Sequence, residues 1–133
     1  MKCRYEIDRE NNIFIKMHYG NITVDGEIEL LNRIFADPEY RKGMNAICDF
    51  TEASVDWGLD DIDRFRTYIS GIGDIAGECK WAVVSRGGIT NITARIFLVL
   101  HEAFQQSISL KLFSNRQDAL AWIGGITVEN TAE

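Results

Sequence analysis

The densest group of chemistry-bearing side chains in this 133-residue chain is acidic: Glu52, Asp56, Asp60, Asp61 and Asp63. Its spacing lacks the central Gly and terminal Glu of an EF-hand loop. Helix capping and solvation account for Asp60, Asp61 and Asp63, so no metal site is expected. His18 and His101 are the only histidines, and neither has a Cys or a paired carboxylate close in sequence. Spacing therefore neither builds nor excludes a catalytic triad. Cys48 and Cys79 would act as nucleophiles only beside a base that the sequence does not show. The expectation is a protein that is not an enzyme and carries no cofactor.

Two other features favour binding. Ser85-Arg86-Gly87-Gly88 lies between an apolar strand and a helix start, the place where open α/β sheets put ligands. Free helix amides together with Arg86, and Arg95 further along, would hold a small anion there. The dinucleotide Gly pattern and the P-loop Lys are both missing, so a tight turn is the alternative. Trp57 sits beside Val55 and Leu59 and interrupts the acidic stretch. Either it walls an apolar cleft facing Gly87 and Gly88, or it folds back as a lid on the core.

These residues are positioned by an α/β pattern. Residues 80–85, 91–106 and 109–113 read as strand, long helix and strand, a βαβ unit whose strands must run parallel. A short helix at 116–123 follows. Upstream, residues 4–8 and 12–18 form a hairpin, and in its second strand Ile13, Ile15 and Met17 alternate with Phe14, Lys16 and His18. Val24, Ile28, Leu31 and Phe35 share one face of a helix that stops before Asp37-Pro38. Residues 44–50 are an interior strand, 51–58 an irregular segment, and from about Asp60 another helix runs until Gly71, Gly73 and Gly77 close it.

On the 91–106 helix, Ile92, Ile96, Phe97, Val99, Leu100, Ala103 and Phe104 share one broad apolar arc, with His101 at its border. Leu98 falls outside the arc beside Arg95, Glu102 and Gln105. It is either an ordinary exposed leucine or the contact of a homodimer or other protein partner. The two Asn-Ile-Thr tripeptides, at Asn21 and Asn91, are read as capping chemistry, with Thr23 and either Thr90 or Thr93 meeting the first free amides.

With residues attached to it, this order resembles the SpoIIAA-like proteins, stand-alone relatives of the STAS domain of anti-sigma-factor antagonists and anion transporters. The resemblance rests on Ala94-Arg95-Ile96-Phe97, Leu112-Phe113 and Ala119-Leu120-Ala121-Trp122-Ile123, supported by Gly20-Asn21-Ile22-Thr23 and Cys48-Asp49-Phe50. It spans about residues 5–124 and implies a mixed, largely parallel sheet of about five strands with about four helices. It also implies a non-catalytic binding or regulatory module. Anti-sigma-factor antagonists carry a phosphorylated Asp-Ser-Ser-Gly-like turn after the third strand, whereas this chain reads Asp49-Phe50-Thr51-Glu52-Ala53-Ser54. Ser54 or Thr51 would have to take the phosphate, beside Glu52 and Asp56 that repel it.

Composition bounds the rest. Twenty acidic against 14 basic residues leave a net charge of -6, which repels phosphate backbones, so no nucleic-acid partner is expected. No segment approaches the roughly 20 apolar residues of a membrane span, and the N-terminal residues lack a signal-peptide core. These two absences lead to the expectation of a cytoplasmic protein, and Cys3, Cys48 and Cys79, odd in number and widely spaced, argue against both a disulfide framework and a zinc knuckle. Residues 1–126 are read as one domain and 127–133 as a frayed tail.

Overall fold

The computed structural model describes residues 3–103 and 107–124. Its five strands, β1 (Cys3–Asp8), β2 (Ile13–Asn21), β3 (Asn45–Ser54), β4 (Cys79–Val84) and β5 (Ile108–Phe113), form one sheet in the order β1-β2-β3-β4-β5. The β1–β2 hairpin is antiparallel and the three other pairings are parallel. Between the parallel strands run α1 (Val24–Ala36), α2 (Leu59–Gly71) with the one-turn α3 (Gly73–Ala76), and α4 (Gly88–Ala103). The helix α5 (Arg116–Gly124) follows β5. The architecture is the expected one, with five helices among the described residues where about four were predicted. The extra turn arises because Gly73 begins a new helical turn before Gly77, at φ 72°, ends it.

Each crossover steps the same way across the sheet, and right-handed crossovers then bring their helices to one face. Phe14, Ala46, Cys48 and Trp81 point into the core on that side, against Leu30, Ile34, Phe65 and Ile69. On the other face α5 packs Ala119 and Ile123 against Ile13, Ile47, Ala82 and Val84. Trp122 stands beside Phe113, with ring centroids 5.6 Å apart, and its carbonyl accepts from Lys80 Nζ at 2.9 Å.

Thr23 caps α1 as expected, its hydroxyl accepting from the Gly26 amide at 3.0 Å. Thr90 and Thr93 do something different. α4 begins at Gly88, three residues before the predicted start, and both threonines lie inside it. Their hydroxyls grip one residue of the preceding segment: the Val55 amide donates to Thr90 Oγ1 at 3.0 Å, and Thr93 Oγ1 donates to the Val55 carbonyl at 2.8 Å. At the far end His101 Nε2 meets the Ile108 carbonyl at 2.7 Å.

Those three contacts fix the rotation of α4, and it is not the rotation its apolar arc predicts. Ile92, Ile96 and Val99 of that arc are exposed at 56%, 38% and 67%, while Thr90, Thr93 and His101 are buried. Leu98, expected on the solvent side, is partly buried. The helix is apolar around most of its circumference, so hydrophobicity chooses its rotation weakly. Buried hydroxyls and an imidazole that must find partners choose it strongly. Phe104 of the predicted arc and the predicted tail lie outside the described residues.

Candidate functional site

β2 supplies the centre of the site. Its side chains alternate across the sheet, so Lys16 and His18 share the face of Phe14 and lie under α1. Lys16 is 1% exposed, His18 1% and Glu27, from the first turn and a half of α1, 2%. Lys16 Nζ donates to Glu27 Oε2, and His18 Nε2 lies 2.8 Å from Glu27 Oε1. The ammonium also stands over the Trp81 ring, 5.8 Å from its centroid, a cation–π contact.

The third contact comes from an irregularity in the sheet. Pairing between β2 and β3 shifts register between Met17 and Tyr19, so that Met17 faces Asp49 but Tyr19 faces Glu52. A bulge of this kind re-aims side chains. Here the Asp49 carbonyl meets His18 Nδ1 at 3.0 Å, and the Phe50 ring stacks on the imidazole with centroids 4.0 Å apart.

Electrostatics follow from this packing. Burial pushes the Glu27 carboxyl upward, but Lys16 and then His18 outweigh it and hold the group at about 2. Burial likewise opposes the charged form of Lys16, yet its pKa lies above the ordinary value because the Cys48 sulfur, once ionised at high pH, and the Glu27 carboxylate both favour the ammonium. The Cys48 thiol, facing Lys16 across the strands, is pushed up to about 11 by burial. It is a neutral thiol near pH 7 and a poor nucleophile.

Above this charged floor lies a cavity of about 80 Å³ between the sheet and α4. Lys16, Glu27 and Cys48 line its base, and Phe50, Trp57, Phe65, Phe97 and Leu98 are among its walls. Trp57 is held there by an indole N–H to the Ile22 carbonyl, 2.9 Å, and by an edge contact to Phe65, 5.4 Å between centroids. It is thus both a core contact and a wall. Trp81 also lines the cavity, and its buried indole nitrogen has no oxygen or nitrogen partner among the described residues.

The other residues singled out in the sequence lie elsewhere. Arg86 projects into solvent, 3.7 Å from Glu52. Gly87 and Gly88, with φ of 124° and 69°, make a turn in which the Gly87 amide donates to Ser85 Oγ at 3.2 Å. Arg95 lies with Leu98 in a separate groove between α4 and β5. The structure does not bring Arg86 and Arg95 to the Trp57 cavity. Residues 51–54 continue β3 instead of starting an irregular segment. Within the strand Thr51 donates its hydroxyl to Asp49 Oδ1 at 2.7 Å, while Arg116 Nε meets Asp49 Oδ2 at 2.8 Å. Ser54 lies in a polar cleft with Asp25, Asp56, Asp61 and Arg64. Among the described residues no group of three or more His, Cys, Asp or Glu is arranged to hold a metal ion.

Sequence reasoning missed Lys16 and Glu27 altogether and found no partner for His18. A faint signal existed: Lys16 and His18 stand at i and i+2 on one strand face with Phe14, flanked by apolar residues on the other face. Glu27 reads from sequence as a helix-start acid, which it also is.

A five-stranded mixed sheet in this order, with α1, α2 and α4 on one face and α5 on the other, is a SpoIIAA-like α/β fold. A crystal structure of an uncharacterized DUF3478-family protein from Shewanella loihica PV-4, with a SpoIIAA-like fold, matches at a TM-score of 0.55 and 18% identity. The match covers 92% of this chain and 94% of that one. At that identity the likeness establishes the fold. No family model matches the sequence, and no curated protein does. Among the described residues no helix is long and apolar enough to cross a membrane.

Two outcomes are expected of the buried charges. Glu27 titrates in the unfolded chain near 4.5 and in the folded chain near 2, so its stabilisation is complete above about pH 4.5 and is lost as pH falls toward about 2. That loss amounts to about 3 kcal/mol by linkage, and urea midpoints measured from pH 6 to pH 2.5 should show it. Glu27→Gln, which leaves the buried ammonium without its counter-charge, should cost about 3–5 kcal/mol. Lys16→Met in the same chain should restore part of it; a double variant no more stable than Glu27→Gln by urea unfolding would contradict the pairing.

Proposed function

We propose that this chain is a non-catalytic binding module of SpoIIAA-like fold that admits a small, largely apolar molecule to the cavity beneath α4. The observation that carries the reading is the cavity itself: aromatic and aliphatic walls from β3, α2 and α4 over a floor of buried charge. Ligand sites commonly combine apolar walls with a few placed polar groups. Trp57 supplies one of the walls. The anion-holding role considered for Arg86, Gly87, Gly88 and Arg95 has no support from the cavity, which none of them lines.

Absence of catalysis is supported by the state of the candidate nucleophiles and bases. Cys48 is held as a thiol, His18 is engaged at both nitrogens, and His101 is tied to Ile108. The free thiols Cys3, Cys48 and Cys79 suit a reducing compartment such as the cytoplasm. Titration of the labelled protein with 1-butanol, followed by amide NMR shifts, is expected to give saturable changes at Val55, Trp57, Phe97 and Leu98. Ala94→Leu, which enlarges a cavity-lining side chain, should remove them. Linear, unsaturable shifts in the unmodified protein would sink the reading.

A second reading, a protein-interaction module or homodimer, draws on a different surface. Ile89, Ile92, Ile96 and Val99 stand exposed on α4, at steps of three, four and three residues that align them along one helix face. Ile92→Glu with Ile96→Glu should abolish any self-association seen by sedimentation velocity without lowering the melting temperature. Association that survives both charges would exclude this face.

A further inference from the structure

Resting on the cavity reading above, we infer that the occupant is a small carboxylic acid bound as its anion, its carboxylate on the Lys16 ammonium and its short apolar body against Trp57, Phe97 and Leu98. The inference comes from counting protons. The Asp49 carbonyl only accepts, so His18 Nδ1, 3.0 Å away, carries a proton. The 2.8 Å contact between His18 Nε2 and Glu27 Oε1 holds one more proton, on one atom or the other.

With that proton on nitrogen, the three groups are ammonium, imidazolium and carboxylate. With it on oxygen, they are ammonium, neutral imidazole and carboxylic acid. Both arrangements sum to one positive charge. The ammonium form of Lys16 is supported by its place over the Trp81 ring and its contact with Glu27.

Among the described residues nothing nearby balances that charge: Glu27 is the one carboxylate that lines the cavity, and it is already in the sum. Cys48 is a neutral thiol. The Asp49 carboxylate is engaged by Thr51 and Arg116. An uncompensated charge in an apolar interior is costly, and an anion beside it lowers the cost. Lys16 has three N–H groups, of which one meets an oxygen among the described residues, so donors remain. The small volume and apolar walls suit a monoanion with a short hydrocarbon body, and a dianionic phosphate would overshoot the single charge.

The test uses three probes of equal length on the whole chain: butyrate, 1-butanol and butylamine, each titrated by amide NMR at constant ionic strength. Butyrate is expected to bind at least tenfold more tightly than the other two, and Lys16→Met is expected to bring the butyrate-to-butanol ratio close to one. Equal or tighter binding of 1-butanol or butylamine to the unmodified protein overturns the inference and leaves the cavity reading standing. A ratio that survives Lys16→Met also overturns it. No saturable binding of any probe overturns both. If Lys16→Met does not fold, nuclear Overhauser contacts in the unmodified protein decide, because their absence between the butyrate α-methylene and the Lys16 ε-methylene is incompatible with the pose.

Discussion

Removing an ammonium and a carboxylate from water is expensive, and a protein recovers the cost only with close, well-aligned partners. The contact between Lys16 and Glu27 therefore constrains everything around it. It sets the depth at which α1 docks on β2, because Glu27 must reach the strand face. The local irregularity of the sheet belongs to the same knot, because the shifted β2–β3 register accompanies the contact of the Asp49 carbonyl with the His18 ring, whose other nitrogen meets Glu27. Phe50 stacking on that ring and Trp81 beneath the Lys16 ammonium cover the charges with aromatic faces. The result is a polar knot under an apolar helix layer, and the cavity lies where the two meet.

Asp49 joins this knot to the other side of the sheet. Its backbone oxygen faces His18, while its carboxylate, held below the usual range against burial by the Thr51 hydroxyl and amide and by Arg116, anchors the start of α5. One residue of β3 thus links the layer above the sheet to the layer below. The residues that stand where anti-sigma-factor antagonists carry their phosphorylated turn, and that lack its Ser-Ser-Gly, are here part of that link, with Thr51 bonded inside the strand.

α4 shows how polar contacts outrank hydrophobicity when a helix is apolar nearly all round. Two hydroxyls on Val55 and one imidazole on Ile108 turn Ile92, Ile96 and Val99 outward and bring Phe97 and Leu98 over the cavity. A helical arc computed from hydrophobicity alone treats threonine as neutral and cannot see a carbonyl 38 residues away that needs a donor. The same contacts hold Val55, and with it the segment bearing Trp57, against the helix.

Local sequence determined the elements and their order. Strand-forming runs, the Thr23 cap, the stop at Asp37-Pro38 and the crossover spacing of the βαβ units act within a few residues of themselves, and they suffice for a mixed, mostly parallel sheet and for its SpoIIAA-like class. Trp57 stands out in the sequence, because a large aromatic in an acidic segment is unusual by composition alone, but only the fold shows it packed on Phe65 beside the cavity. Lys16, Glu27 and His18 do not stand out, since their meeting depends on which face of β2 lies under α1, and a charged residue on a strand ordinarily marks the solvent face. The rotation of α4 and the separation of Arg86 and Arg95 from the cavity were likewise decided by tertiary contacts. Pairwise electrostatics and buried hydrogen bonds act between residues distant in sequence, and only the folded chain brings their partners within reach.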